Sequence, residues 1–298
     1  MFELITLADP LSPLSGLPAG DHPWLLFSSG PVSEELAAVV ATQAVQWESA
    51  AAVWHIIPVG TIGNLLRHRL PWELSRLVAS PVCDAVILCR RSAAEAIPAG
   101  WSLWQYLLSL PSDAVQIGDT VVGHAGHPRR PELAPRTPSL PNWLKQAIEA
   151  FQPQLSATEE TALRAGIYQL HDQLDRSHQF SQSIEGRGKH QNGDYWHAIM
   201  HRREPDYSNS KYWFRHVGQH PVFEELAEEA YDVINVISAP HSEEWLKKLT
   251  RNGWDPAAFV DLCQQCARDP QSPLAVAARE IQWREMLLLL EQTWRDGR

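Results

Sequence analysis

His127-Pro-Arg-Arg-Pro-Glu-Leu-Ala-Pro-Arg-Thr-Pro-Ser-Leu-Pro141 divides the chain near its middle. Five prolines in fifteen residues fit neither a helix interior nor a central strand, so the stretch predicts a semi-extended linker. Usage changes across it: all five lysines follow it, and seven of the thirteen histidines lie between 171 and 220. The sequence therefore predicts two domains, 1–126 and 142–298, joined by 127–141.

Before the linker, short apolar runs alternate with helical patterns. Strands are expected at Trp24–Phe27, Ala51–Val59 and Asp84–Cys89, with a hairpin over Val115–Val122 around Gly118-Asp119. Helices are expected from Ser33 to about Trp47, through Val78 with a break at Pro71, and over Trp101–Leu110. This order predicts an α/β domain with a parallel or mixed sheet. After the linker the pattern is helical almost throughout. Helices are expected at Asn142–Ala150, Thr158–Ser183, Tyr195–Glu204, Ser208–Val217, Glu224–Ile237, Glu243–Asn252, Pro256–Arg268 and Leu274–Arg295, an all-α domain.

The chain has 298 residues, 44% of them hydrophobic and 20% charged, enough for a substantial core. A formal charge of −10 disfavours nucleic acid, which needs a basic face, and an anionic membrane surface. No apolar run is long enough to cross a bilayer. The first residues, MFELITLADP, have no basic or apolar region of the secretory kind. Four cysteines, at 83, 89, 263 and 266, do not make a disulfide scaffold in a chain of this length. The expectation is a cytoplasmic protein with reduced thiols. Thirteen tryptophans serve either a rigid aromatic core or an aromatic binding surface.

Few candidate sites arise in the first half. Glu34 and Glu35 occupy the first turn of the helix after Gly30 and would repel a phosphate there. Gly60-Thr-Ile-Gly-Asn64 could cradle a small anion, although tight turns alone explain its glycines and no nucleotide-binding glycine motif occurs. Cys83 and Cys89 read as buried small hydrophobes, as do Cys263 and Cys266 of the lone CxxC.

The histidine spacing of the second half is more informative. His171, Asp175 and His178 fall at i, i+4 and i+7 of the expected 158–183 helix, and His197, His201 and Glu204 repeat that spacing on the next. Two neighbouring helices can thus aim imidazoles and carboxylates at one seam. His178, His197, His201 and Asp175 form a candidate metal set for zinc, iron or manganese. Glu204 or Asp206 would then serve as general base toward a metal-bound water. The same spacing also suits a structural hydrogen-bond network.

The run Tyr195-Trp-His-Ala-Ile-Met-His-Arg-Arg-Glu-Pro-Asp-Tyr-Ser-Asn-Ser-Lys-Tyr-Trp-Phe-Arg-His-Val-Gly218 resembles the motif W-H-A-x-x-H-R-x-E-x-D-x-x-N-x-x-Y-W-F/Y-R-x-x-G of an uncharacterised bacterial and fungal family. The preceding Asp175-Arg-Ser-His-Gln-Phe-Ser-Gln182 is similar to that family's D-x-x-H-x-x-x-Q element. The resemblance covers roughly residues 165–226 and implies a structural unit without naming a reaction. The pair of helices around Pro205 also looks like one tetratricopeptide or Sel1-type hairpin, short of the repeats a solenoid needs.

Arg202, Arg203, Glu204, Asp206 and Asn209 crowd the hairpin turn, with Trp196, Tyr212 and Trp213 beside them. Their functional reading is a pocket in which an arginine fork holds a small anionic ligand; the alternative is a self-satisfied network bracing the turn. Of the tryptophans, only Trp196 and Trp213 stand within this constellation. The sequence thus supports an interaction or ligand-binding protein, meeting a partner protein or small anion through the hairpin. The alternative is a metal-dependent hydrolase or oxidoreductase with a His/carboxylate site between two helices.

Overall fold

The computed structural model describes residues 2–7, 12–14, 16–47, 54–58, 70–78, 85–118, 130–136 and 139–298. Within the first half, strands β1 (Phe2–Thr6), β2 (Trp24–Ser28), β3 (Trp54–Pro58), β4 (Ala85–Arg90) and β5 (Val115–Ile117) form one sheet in the order β1-β2-β4-β3-β5. β1 runs parallel to β2 and β5 parallel to β3, while β4 is antiparallel to both its neighbours, so the sheet is mixed. Period-two alternation sorts the strand residues into two cores. Leu25, Phe27, Trp54, Ile56, Ile87 and Cys89 pack on one face, with Leu103 and Leu107. Trp24, Leu26, Ile57, Val86 and Leu88 pack on the other, with Leu36 and Val40. A strand buried on both faces reads as a continuous apolar run, which is why β2 and β4 were plain in the sequence.

Helix α1 (Glu34–Gln46) starts where Ser33 accepts the Leu36 N–H at 3.1 Å. Helices α2 (Trp72–Val78), α3 (Arg91–Ala94) and α4 (Leu103–Ser109) complete the described helices of this part. β1 was not expected from the sequence. Of the hairpin expected over Val115–Val122, the described residues form β5, parallel to β3; residues 119–122, like Gly60–Asn64 and Cys83, lie outside the described residues.

The helical part comprises α5 (Asn142–Ala150), α6 (Ala157–Leu170), α7 (Leu174–Gln182), α8 (Asn192–Arg203), α9 (Tyr207–Val217), α10 (Val222–Ile237), α11 (Ser242–Thr250), α12 (Pro256–Cys266) and α13 (Pro273–Asp296). None of the described helices is long and apolar enough to cross a membrane. The 24-residue α13 is buried along most of its length, from Leu274 to Trp294, and its buried residues include Gln282, Arg284, Glu285, Glu291 and Thr293 beside the apolar ones.

The chain divides into two compact units, and the division does not follow the proline-rich stretch. One unit takes 1–129 and 142–147; the other takes 130–141 and 148–298. Two carbonyls of the stretch, those of Pro131 and Glu132, are used within the helical unit. Gln282 donates to the Pro131 and Glu132 carbonyls at 3.2 Å, Arg203 donates to Glu132 at 3.0 Å, and Arg130 donates to Glu280 at 2.8 Å. Proline removes N–H donors but keeps its C=O, so a proline-rich segment can dock through its acceptors.

The expected 158–183 helix is two helices. His171 ends α6, and Asp172 takes the left-handed conformation at φ 59°. The Asp172 carboxylate is paired with buried Arg203 of α8, a distant partner that fixes the break. Gly166 of α6 lies against Trp196 of α8: a Cβ there would stand 2.5 Å from the indole. Gly166→Ala is therefore expected to cost about 1–3 kcal/mol of stability by overpacking, measured by urea unfolding.

Candidate metal centre

The loop between α7 and α8 is tied at both ends. Asp194 accepts the N–H of Gly186, whose φ of 65° is one a side chain would strain, and Glu159 accepts the Lys189 N–H at 2.7 Å. Asn192, the first residue of α8, donates to Asp296 at 2.9 Å and to Glu159 at 3.2 Å. These contacts seat α8 against α6 and α13 and leave its histidine face toward α7 and α9.

On that face His197 and His201, one turn apart, stack with centroids 4.7 Å apart and rings 23° from parallel. His178 of α7 approaches both, with centroids at 4.8 Å from His197 and 5.5 Å from His201. One nitrogen from each ring lies within 4.8 Å of the others. Around a tetrahedral zinc-sized ion, ligand nitrogens about 2.0–2.1 Å from the metal stand about 3.4 Å apart. Closing the trio onto an ion therefore needs side-chain movements of about an ångström, within rotamer adjustment.

His197 is the least satisfied member. It is 1% exposed, and neither ring nitrogen has a hydrogen-bond partner. Trp213 of α9 stacks on it at 4.1 Å. Burial holds its pKa down at about 3, with His201 and His178 adding to the effect, so the ring is neutral and offers a lone pair at any ordinary pH. His201 is shifted down by burial as well, with Glu204 opposing. Its Nδ1 lies 3.1 Å from Glu204 Oε2. A carboxylate accepts only, so this nitrogen carries the proton and Nε2 keeps its lone pair. That is the arrangement by which an outer carboxylate orients a metal-ligating imidazole. The Asn209 amide nitrogen stands 3.0 Å from Nε2 and 3.4 Å from Nδ1, separations that place it over the ring.

Other expected residues go elsewhere. Asp175 is exposed in the first turn of α7 and takes no part in the histidine cluster, and the helix break removes His171 from the stripe. Asp206 caps α9, accepting from the Asn209 N–H and the Ser208 hydroxyl, and these hold its carboxyl below the usual range. Trp196 lies in the core with Nε1 directed to Thr293. Tyr212 is 44% exposed.

The arginine fork expected to hold an anion is turned inward. Arg202 and Arg203 are both fully buried. Arg202 pairs with Glu285, which also accepts from Tyr195 Oη at 3.1 Å, while Phe259 packs 4.5 Å beneath the guanidinium. Burial alone would lower the Arg202 pKa; Glu285 more than offsets this and raises it. Arg203 binds Asp172 and the Gln169 carbonyl. Cys263 and Cys266 are buried free thiols pushed up to about 12 and about 11, far from reactive thiolates.

His220 is a further buried histidine, its Nε2 3.0 Å from Asn192 Oδ1 and its Nδ1 accepting the Val222 N–H. Burial lowers its pKa from 6.5 to about 4. The unfolded chain takes up this proton below pH 6.5 and the folded chain only near pH 4, so folding loses stability as pH falls through that window. Urea unfolding in chelator should show the decline, and His220→Gln should make it shallower.

No family model, no curated protein and no solved structure matches this chain. The functional reading therefore rests on the geometry of the site.

Proposed function

We propose that this chain binds one divalent transition-metal ion (zinc, iron or manganese) through His178, His197 and His201 and uses it as a Lewis acid. His197 carries the reading. A buried polar group left without a partner costs about 1–3 kcal/mol, and an ion held through one His197 nitrogen, beside two other imidazoles, would satisfy that nitrogen. Glu204 supports it by fixing the His201 tautomer. The three described free cysteines suit a reducing compartment, and we place the protein in the cytoplasm.

A partner-binding role for the same hairpin has less behind it. Trp196, Arg202 and Arg203 are committed to the interior, which leaves Tyr212 as the exposed aromatic of the set.

The test is a competition titration of the metal-free full chain with zinc, iron(II) and manganese. One saturating site per chain, accompanied by a rise in melting temperature, is expected. No binding and no thermal shift with any of the three would overturn the reading. Glu204→Ala, which removes a half-exposed side chain outside the core, should weaken affinity about 10–100-fold without unfolding the protein.

A further inference from the structure

Building on that metal site, we propose that its fourth ligand is a small anion supplying a carboxylate or phosphate oxygen. The cluster is made of imidazoles alone: among the described residues no carboxylate or thiolate joins it. The nearby acidic groups are engaged otherwise. Glu204 holds the Nδ1 side of His201, and Asp206 holds the start of α9. Three neutral ligands leave a divalent ion with its full charge, and a low-coordinate ion of that charge draws an anionic oxygen from solution.

Charge on the protein side points the same way. The two arginines beside the histidines on α8 are saturated by Glu285 and Asp172, so they cannot recognise an anion; that task falls to the ion. The exposed groups nearest the cluster are the Glu204 side chain, 53% exposed at the turn between α8 and α9, and half-buried His178, and an anion would enter on that side. On the inner side Trp213 stacks on His197, with ring centroids 4.1 Å apart. The Asn209 amide, 3.0 Å from His201 Nε2, is a donor beside the nitrogen that binds the ion, placed to hydrogen-bond an oxygen on the metal.

The experiment uses the full chain loaded with equimolar cobalt(II), whose visible d–d bands report the number and type of ligands. Acetate and inorganic phosphate are titrated separately at constant pH and ionic strength, with perchlorate as the control anion. A saturable spectral change with acetate, phosphate or both is expected, and which anion produces it assigns the oxygen class. Asn209→Ala should weaken that anion about tenfold, the worth of one hydrogen bond to a charged group, while cobalt stays bound. Bound cobalt whose spectrum ignores both anions would overturn the proposal and leave the three-histidine site standing. Failure to take up cobalt, zinc, iron or manganese at all would overturn both.

Discussion

His197→Phe is expected to abolish stoichiometric metal binding while leaving the metal-free protein as stable as the native chain or more so. Both halves follow from one side chain. Losing one of three ligands should reduce affinity by more than the roughly 10–100-fold that loss of an outer-shell partner costs. The stability half is less usual for a residue that is 1% exposed. Truncating a buried side chain normally destabilises, but here phenylalanine keeps a flat ring against Trp213, 4.1 Å away, and removes two nitrogens that have no partner. Relief of an unsatisfied buried group is worth about 1–3 kcal/mol. Urea unfolding in chelator reads the stability, and zinc titration reads the affinity. A variant that loses several kcal/mol in chelator would mean that His197 is an ordinary structural residue, against the account.

Glu285→Ala is expected to be the most damaging change to the fold, costing about 3–5 kcal/mol. It strands the Arg202 guanidinium, 0% exposed, with Gln282 at 3.5 Å as its nearest remaining side-chain acceptor. It also removes the acceptor of buried Tyr195. The pair itself is a different matter, since two charges withdrawn from water regain little beyond their desolvation. Arg202→Met combined with Glu285→Leu should therefore lose less than Glu285→Ala alone. Chemical denaturation of the three proteins decides it; a double variant worse than the single one would contradict this reading of the network.

The sequence and the structure agree where local signals govern. Continuous apolar runs marked β2 and β4, serine caps marked α1, and the i, i+4 spacing brought His197 and His201 together on α8 as the pattern required. They part where the deciding group is remote. Nothing in His171-Asp-Gln173 breaks a helix by itself; Arg203, thirty-one residues on, holds Asp172 in the left-handed conformation. With that break the expected His171–Asp175–His178 stripe reduces to His178. Arg202 and Arg203 read as a surface fork because arginine is rarely buried. Their carboxylates, Glu285 and Asp172, sit 83 and 31 residues away, beyond any local pattern. The proline stretch is likewise held by remote groups, since its Glu132 and Pro131 carbonyls find donors on α8 and α13 that no linker composition announces. The tryptophans resolve in the same physical terms: Trp196 fills the space that Gly166 leaves open, and Trp213 is the one that walls the histidine site.

An ion held by His178, His197 and His201 should survive purification without chelator or metal-affinity tag and be counted by elemental analysis. Close to one equivalent of zinc, iron or manganese is expected in the native protein and none in His197→Phe. Equal metal in both proteins, or none in either even after incubation with all three ions, would contradict it.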